Sequence, residues 1–129
     1  MRSALLSALL VGSGGFVGAV FRYALGGVVH RQLPAAIFPY GTLCVNLLGC
    51  FLIGALAGLS DSRQFFTPEL RAFVFIGLLG GFTTFSTFGF ETVSLARDGD
   101  TLRAGANVAV QVLLGLMLVW LGYGLTGSR

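Results

Sequence analysis

The chain contains no lysine, and only 10% of its 129 residues are charged. A soluble domain is nearer one quarter charged, and the mean hydropathy of +0.88 points the same way. Eight arginines stand against five acids, giving a net charge of +3. They are scattered, so there is no basic tract and no reason to expect nucleic acid as a partner. There is one histidine, His30, and two cysteines, Cys44 and Cys50. Six residues apart in one apolar run, the cysteines project from different helix faces. No metal-site spacing exists among these residues, and the cysteines read as small core residues. All three prolines (Pro34, Pro39, Pro68) fall in loops or at helix starts. No Asp or Glu lies in the middle of an apolar run, which counts against a cation pathway or a carboxylate-coupled exporter.

What the chain has instead is hydrocarbon-compatible length. A spanning helix needs about 20 mostly apolar residues, and uncharged runs cover Ser3–Phe21, Gln32–Ser60, Ala72–Phe90 and Ala104–Ser128. The expected fold is an all-α integral membrane protein of four transmembrane helices in a single domain, residues 1–129. The helices are placed at about 4–29, 39–60, 68–96 and 102–125. Arg2 before an apolar stretch resembles a signal peptide, but Arg22-Tyr23 is no small-residue cleavage site and three more spans follow. Pro39 suits a first helical turn, and Thr67-Pro68-Glu69 supplies a hydroxyl cap, a first-position proline and a first-turn acid. Gly14-x-x-x-Gly18 and Gly54-x-x-x-Gly58 have the spacing that brings helix backbones close, within or between subunits.

Orientation is undecided by charge. Four spans put Arg2, Arg63, Arg71 and Arg129 on one side and Arg31, Arg97, Arg103 and Arg22 towards the other. The usual excess of basic residues on the cytoplasmic side is missing. Either one charge decides through context, or the chain inserts both ways and two copies assemble antiparallel. The second arrangement would give two subunits the symmetry that larger transporters build from inverted repeats.

The third run carries an unusual stretch, "GGFTTFSTFGFE" from Gly80 to Glu91. Two glycines cost about 1 kcal/mol each against alanine in a helix interior, and Thr83 and Thr84 bond locally to backbone. The helix is expected to break here. Irregular backbone at membrane depth is tolerated only when buried in protein or lining a wet cavity. Freed carbonyls suit a cation and freed N–H groups an anion. Beyond the break, Phe82, Phe85 and Phe88 form a stripe with Ser86 and Thr87 beside it. A phenylalanine alone reads as packing, but ring edges are electropositive and meet an anion without a full charge. Thr42 and Asn46 lie four apart in the second run, and Asn107 and Gln111 four apart in the fourth. Asn46 reads equally as interhelical glue or as pathway lining. Arg22 either draws anions into a vestibule or snorkels or pairs with Glu91. Together these residues form a neutral polar track that favours an anion or a neutral solute.

The segments "GAVFRYALG", "GTLCVNLLGCFLIG" and "GLLGGFTTFSTFGFET" resemble the Fluc fluoride channels, also called the CrcB family, and the resemblance covers nearly the whole chain. It implies an antiparallel, dual-topology homodimer with two narrow pores in the bacterial inner membrane, releasing cytoplasmic fluoride passively through the lipid bilayer. It implies that Phe85 and Phe88 meet the ion with their ring edges, and that Asn46, Thr42, Ser86, Thr87 and Arg22 match pore positions. Gly80 and Thr83 match residues whose backbone carbonyls, from both subunits, hold a structural sodium ion. The fourth span departs from the pattern at Asn107 and Gln111, which are expected only as further pore lining. A small dual-topology multidrug exporter is the alternative, but its mechanism needs a membrane-embedded carboxylate that the first span lacks. An intramembrane enzyme is not expected, because no His, Asp or Lys base lies deep in a span to activate the many hydroxyls. A pure packing subunit would leave the polar track unexplained.

Overall fold

A computed structural model describes residues 2–63 and 66–127, with side chains from residue 4 onward. Gln64 and Phe65 of the second connection, and Arg129 of the charge count, lie outside the described residues. Among the described residues all regular structure is helical, and four segments are long and apolar enough to cross a membrane. Helix α1 is Arg2–Gln32 and α2 is Tyr40–Arg63. The third span, Pro68–Arg97, is split into α3 (residues 68–82) and α4, Phe85–Arg97. The fourth span is α5, Thr101–Thr126. The most apolar 18-residue stretches of the four spans have mean hydropathies of 2.0, 2.1, 1.6 and 2.0 in order. The third is least apolar because its second half carries the hydroxyls.

Local chemistry sets the ends. Thr67 accepts from the Leu70 N–H at 3.2 Å, and Pro68 follows at the first helical position. These are the cap and the proline expected of that sequence. At the end of α4, Gly99 has φ +83°. The Gly99 N–H donates to the Ala96 carbonyl at 3.1 Å and the Asp100 N–H to the Leu95 carbonyl at 2.9 Å. This closes the helix in a Schellman motif, for which glycine has no steric penalty. Asp100 then caps α5 by accepting from the Arg103 N–H at 3.1 Å, and its carboxylate pairs with the Arg103 guanidinium. Those two contacts, the backbone N–H first, hold the exposed Asp100 carboxyl below the ordinary aspartate range.

Two tight helix pairs make the frame. A Cβ at Gly18 would fall onto the Leu78 carbonyl and lie 2.7 Å from the Phe82 nitrogen. Gly14 abuts Phe73 and Leu78 in the same way, so α1 and α3 run parallel in near backbone contact. Gly54 sits on the Val119 carbonyl and Gly58 beside Tyr123, locking α2 to α5. Both glycine spacings therefore work inside one chain. Without a hydrophobic driving force between helices in lipid, this close approach supplies the dispersion contacts that hold them.

α3 contains something the sequence did not suggest. After one α-helical turn, Pro68–Arg71, residues Ala72–Leu79 form a π-helix. Such segments are rare and occur most often as single-turn bulges at functional sites. The backbone then tightens to α-helix at Gly80–Phe82 before the break.

Candidate functional site

The break is narrower and later than the glycines suggest. Gly80 and Gly81 stay helical, and only Thr83 (φ −88°, ψ 161°) and Thr84 (φ −150°, ψ 118°) are extended. Phe82 consequently belongs to α3, on the near side, and is buried. The expected three-ring stripe is cut to two rings, Phe85 and Phe88.

The break is closed by hydrogen bonds from both directions. The Thr83 N–H and hydroxyl both donate to the Leu79 carbonyl at 3.0 Å, ending α3. The Thr84 hydroxyl oxygen accepts from the Thr87 N–H at 3.2 Å, beginning α4. Between them Asn46 on α2 acts as a clamp. Its Oδ1 accepts from the Thr84 N–H at 2.9 Å, and its Nδ2 donates to the Thr84 carbonyl at 3.1 Å. One side chain thus satisfies both backbone polar groups of a single residue, Thr84, at membrane depth, where an unmet group costs several kcal/mol.

From Asn46 the polar chain continues into α5. Asn46 Nδ2 donates to Gln111 Oε1 at 2.7 Å, and Gln111 Nε2 donates to Asn107 Oδ1 at 3.0 Å. Asn107 Nδ2 donates to the Thr92 hydroxyl at 2.8 Å, which donates to the Phe88 carbonyl at 2.8 Å. Asn107 is 0% exposed, so it braces the bundle from inside. Gln111 is half-buried and faces a cavity. The sequence pairing of Asn107 with Gln111 was legible from their spacing. Nothing in the residue spacing marks Thr84 and Thr92 as members of this network, although Thr92 lies one turn beyond Phe88.

Two cavities flank the break, and Thr84 lines both. The first, about 600 Å³, is bordered by Arg22, His30, Thr42, Thr87, Glu91 and Asp98. The second, about 370 Å³, is bordered by Asn46, Gly80, Thr83, Phe85, Phe88 and Gln111. The Phe85 and Phe88 centroids are 5.4 Å apart with planes tilted by 58°. Phe88 is buried at 9% exposure, whereas Phe85 is 82% exposed. Ser86 is exposed, with its hydroxyl 3.3 Å from that of Thr84.

Arg22 sits deeper than expected. α1 continues to Gln32, which leaves Arg22 about 15 Å from the helix end at 1.5 Å per residue. It forms no ion pair with Glu91. Its guanidinium makes a long 3.5 Å contact to the Thr83 carbonyl, and Glu91 instead accepts from the Thr42 hydroxyl at 2.7 Å. The other Glu91 oxygen, Oε2, is buried with no hydrogen-bond partner among the described residues.

The break also leaves two backbone carbonyls without their usual helical donors. The Thr84 N–H, which an unbroken helix would give to the Gly80 carbonyl, goes to Asn46. The Thr87 N–H, which would serve the Thr83 carbonyl, goes to the Thr84 side chain. Among the described residues the Thr83 carbonyl meets only the long 3.5 Å contact from the Arg22 guanidinium. Neutral carbonyl oxygens are hard ligands, suited to an alkali cation.

Comparison with known proteins places this architecture. The profile of the family described as "CrcB-like protein, Camphor Resistance (CrcB)" matches residues 9–123. A Methylobacillus flagellatus protein named "Fluoride-specific ion channel FluC" is 44% identical over 117 residues, 91% of this chain and 91% of its own length. Proteins of the same name from Shewanella sp. (strain ANA-3) and Shewanella baltica (strain OS185) are 46% and 47% identical, each over 94% of this chain and 96% of their own length. With four membrane-spanning segments and likeness to these relatives along nearly its whole length, this multi-pass membrane protein belongs to the CrcB family.

Proposed function

We propose that the chain is a fluoride-selective passive channel of the bacterial inner membrane, exporting cytoplasmic fluoride down its electrochemical gradient. The observation that carries this reading is the 44–47% identity, over nine tenths of the chain, to proteins named fluoride-specific ion channels. The site chemistry supports it. Fluoride is small and tightly hydrated, so a path must replace water with closely spaced donors. Amides and hydroxyls border this path at Asn46, Thr42, Gln111, Ser86 and Thr87, beside the ring edges of Phe85 and Phe88, and none of them carries a full charge; Asn46 and Thr42 border it with their own hydrogens given to Thr84, Gln111 and Glu91. Weak neutral sites also let the ion leave, as conduction requires. The first cavity, with Arg22 and His30 on its wall, is the vestibule. The absence of an acid in α1 argues against the multidrug-exporter alternative.

The working unit is an antiparallel, dual-topology homodimer with two pores. Its support is the balanced arginine count and the 82% exposure of Phe85 beside the exposed Gly80. A lone subunit would turn this break toward lipid, where irregular backbone is not tolerated. A sodium ion held by the Gly80 and Thr83 carbonyls of both copies would tie the two breaks together.

Proteoliposomes loaded with fluoride and followed by a fluoride electrode test the channel. Efflux of fluoride but not chloride, indifferent to a proton gradient, is expected. A well-folded protein that passes no fluoride would overturn the reading. Adding two lysines to one loop fixes the orientation, and equal activity of a fully locked population would rule out the antiparallel dimer. Dialysis against sodium-free buffer is expected to cost activity or dimer integrity.

A further inference from the structure

An amide side chain can be turned end for end, but a backbone N–H cannot. The Thr84 N–H points at Asn46 from 2.9 Å, so the Asn46 oxygen must face it. That single donor orients every amide after it. Asn46 Nδ2 carries two hydrogens, and both are committed, to the Thr84 carbonyl at 3.1 Å and to Gln111 Oε1 at 2.7 Å. Gln111 must then turn its nitrogen towards Asn107 Oδ1, at 3.0 Å. That uses one of its two hydrogens, and no group among the described residues takes the other. Gln111 borders the 370 Å³ cavity together with Asn46, Phe85 and Phe88. Asn107 has an uncommitted hydrogen as well, but at 0% exposure it meets no ion.

We propose that in this chain the Gln111 amide, and not the Asn46 amide, presents the N–H donor to the anion passing Phe85 and Phe88. Asn46 is then a positioning residue. It holds the break at Thr84 and sets the direction of the chain that ends at the Phe88 carbonyl. This inference rests on the fluoride-channel reading above. A charged acceptor draws more from an N–H than a neutral one does, so an N–H left over beside two ring edges is the group best placed to take up the ion's lost hydration.

The test is a titration of the ¹⁵N-labelled, full-length channel in nanodiscs, observed at its side-chain amides. The chain has only two asparagines and three glutamines, so the spectrum is assignable by single substitution. Sodium fluoride is expected to move the Gln111 Nε2–H₂ resonances saturably, with sodium chloride leaving them in place and the Asn46 pair shifting less. Movement of the Asn46 pair with Gln111 unmoved would overturn the assignment. A second arm measures flux. Gln111→Met keeps length and removes the donor, and the half-saturating fluoride concentration is expected to rise about tenfold. An unchanged half-saturation with only a lower maximal rate would make Gln111 a support for Asn46 and sink the inference. If Gln111→Met does not fold, the wild-type titration still decides. Wild-type vesicles that pass no fluoride would instead overturn the channel reading itself.

Discussion

The two halves of the third span are built on different principles. Residues 68–82 are held by backbone against backbone, with Gly77 and Gly81 set against α1 where Gly14 and Gly18 return the contact. Side-chain hydrogen bonding there is minor, and the Phe82 ring is buried. The second half, Phe85–Arg97, is held by hydrogen bonds: Thr84 caps it, and Thr92 ties it to Asn107 on α5. Dispersion between closely packed backbones is non-directional and makes a frame. Hydrogen bonds are directional, and they leave particular donors over. The frame and the proposed ion path are therefore separable by substitution.

The largest effect is expected from Gly18→Leu. Its side chain would enter the Leu78 backbone, which cannot step aside, and overpacking against backbone should cost more than about 3 kcal/mol. Loss of the monodisperse peak in size-exclusion chromatography checks this. A folded, active variant would mean that α1 and α3 are less tightly interlocked than described. Next comes Asn46→Asp, in which a carboxylate cannot donate to the Thr84 carbonyl and Gln111. Fluoride efflux should fall at least about tenfold with the chromatographic profile retained, and Phe88→Ile should lower flux in the same selective way. Normal conduction in both would remove the proposed path from this half of the span. Thr92→Val is milder. It strips a partner from the fully buried Asn107 amide and should destabilise by about 1–3 kcal/mol, read as a lower midpoint in thermal unfolding.

The smallest effect concerns the cap that follows the second half. Asp100 is lowered in the folded state, so its contribution is present above the unfolded pKa and disappears as pH falls through the folded value. The stability gap between wild type and Asp100→Ala should therefore be present at neutral pH and close as pH drops below about 4. A gap that widens in acid would contradict the capping role.

Much of this was legible in the residues. The ends of the third span follow from Thr67-Pro68 and from Gly99, since caps and left-handed turns are local chemistry. The break itself is legible in the stretch from Gly80 to Thr84, and the structure narrows it to Thr83 and Thr84. Gly81 permits close packing with α1 while Gly80 stands exposed within the helix, and the extended pair at Thr83 and Thr84 is held by Asn46 from a different helix. The π-helix over Ala72–Leu79 had no signal in the run AFVFIGLL, which suits an ordinary helix equally well. The Arg22–Glu91 pairing failed because each found a closer partner that chain distance did not reveal.

By itself, then, the sequence determined a four-span helical membrane chain. Apolar length, glycine spacing and the missing lysines and mid-span acids act through water, lipid and backbone sterics that need no partner helix. Only the tertiary structure decided which peptide unit leaves the helix, which amide hydrogens are consumed and which remains. Those depend on where an N–H of one span meets an oxygen of another, and such a meeting is set by packing across about 40 residues of intervening chain.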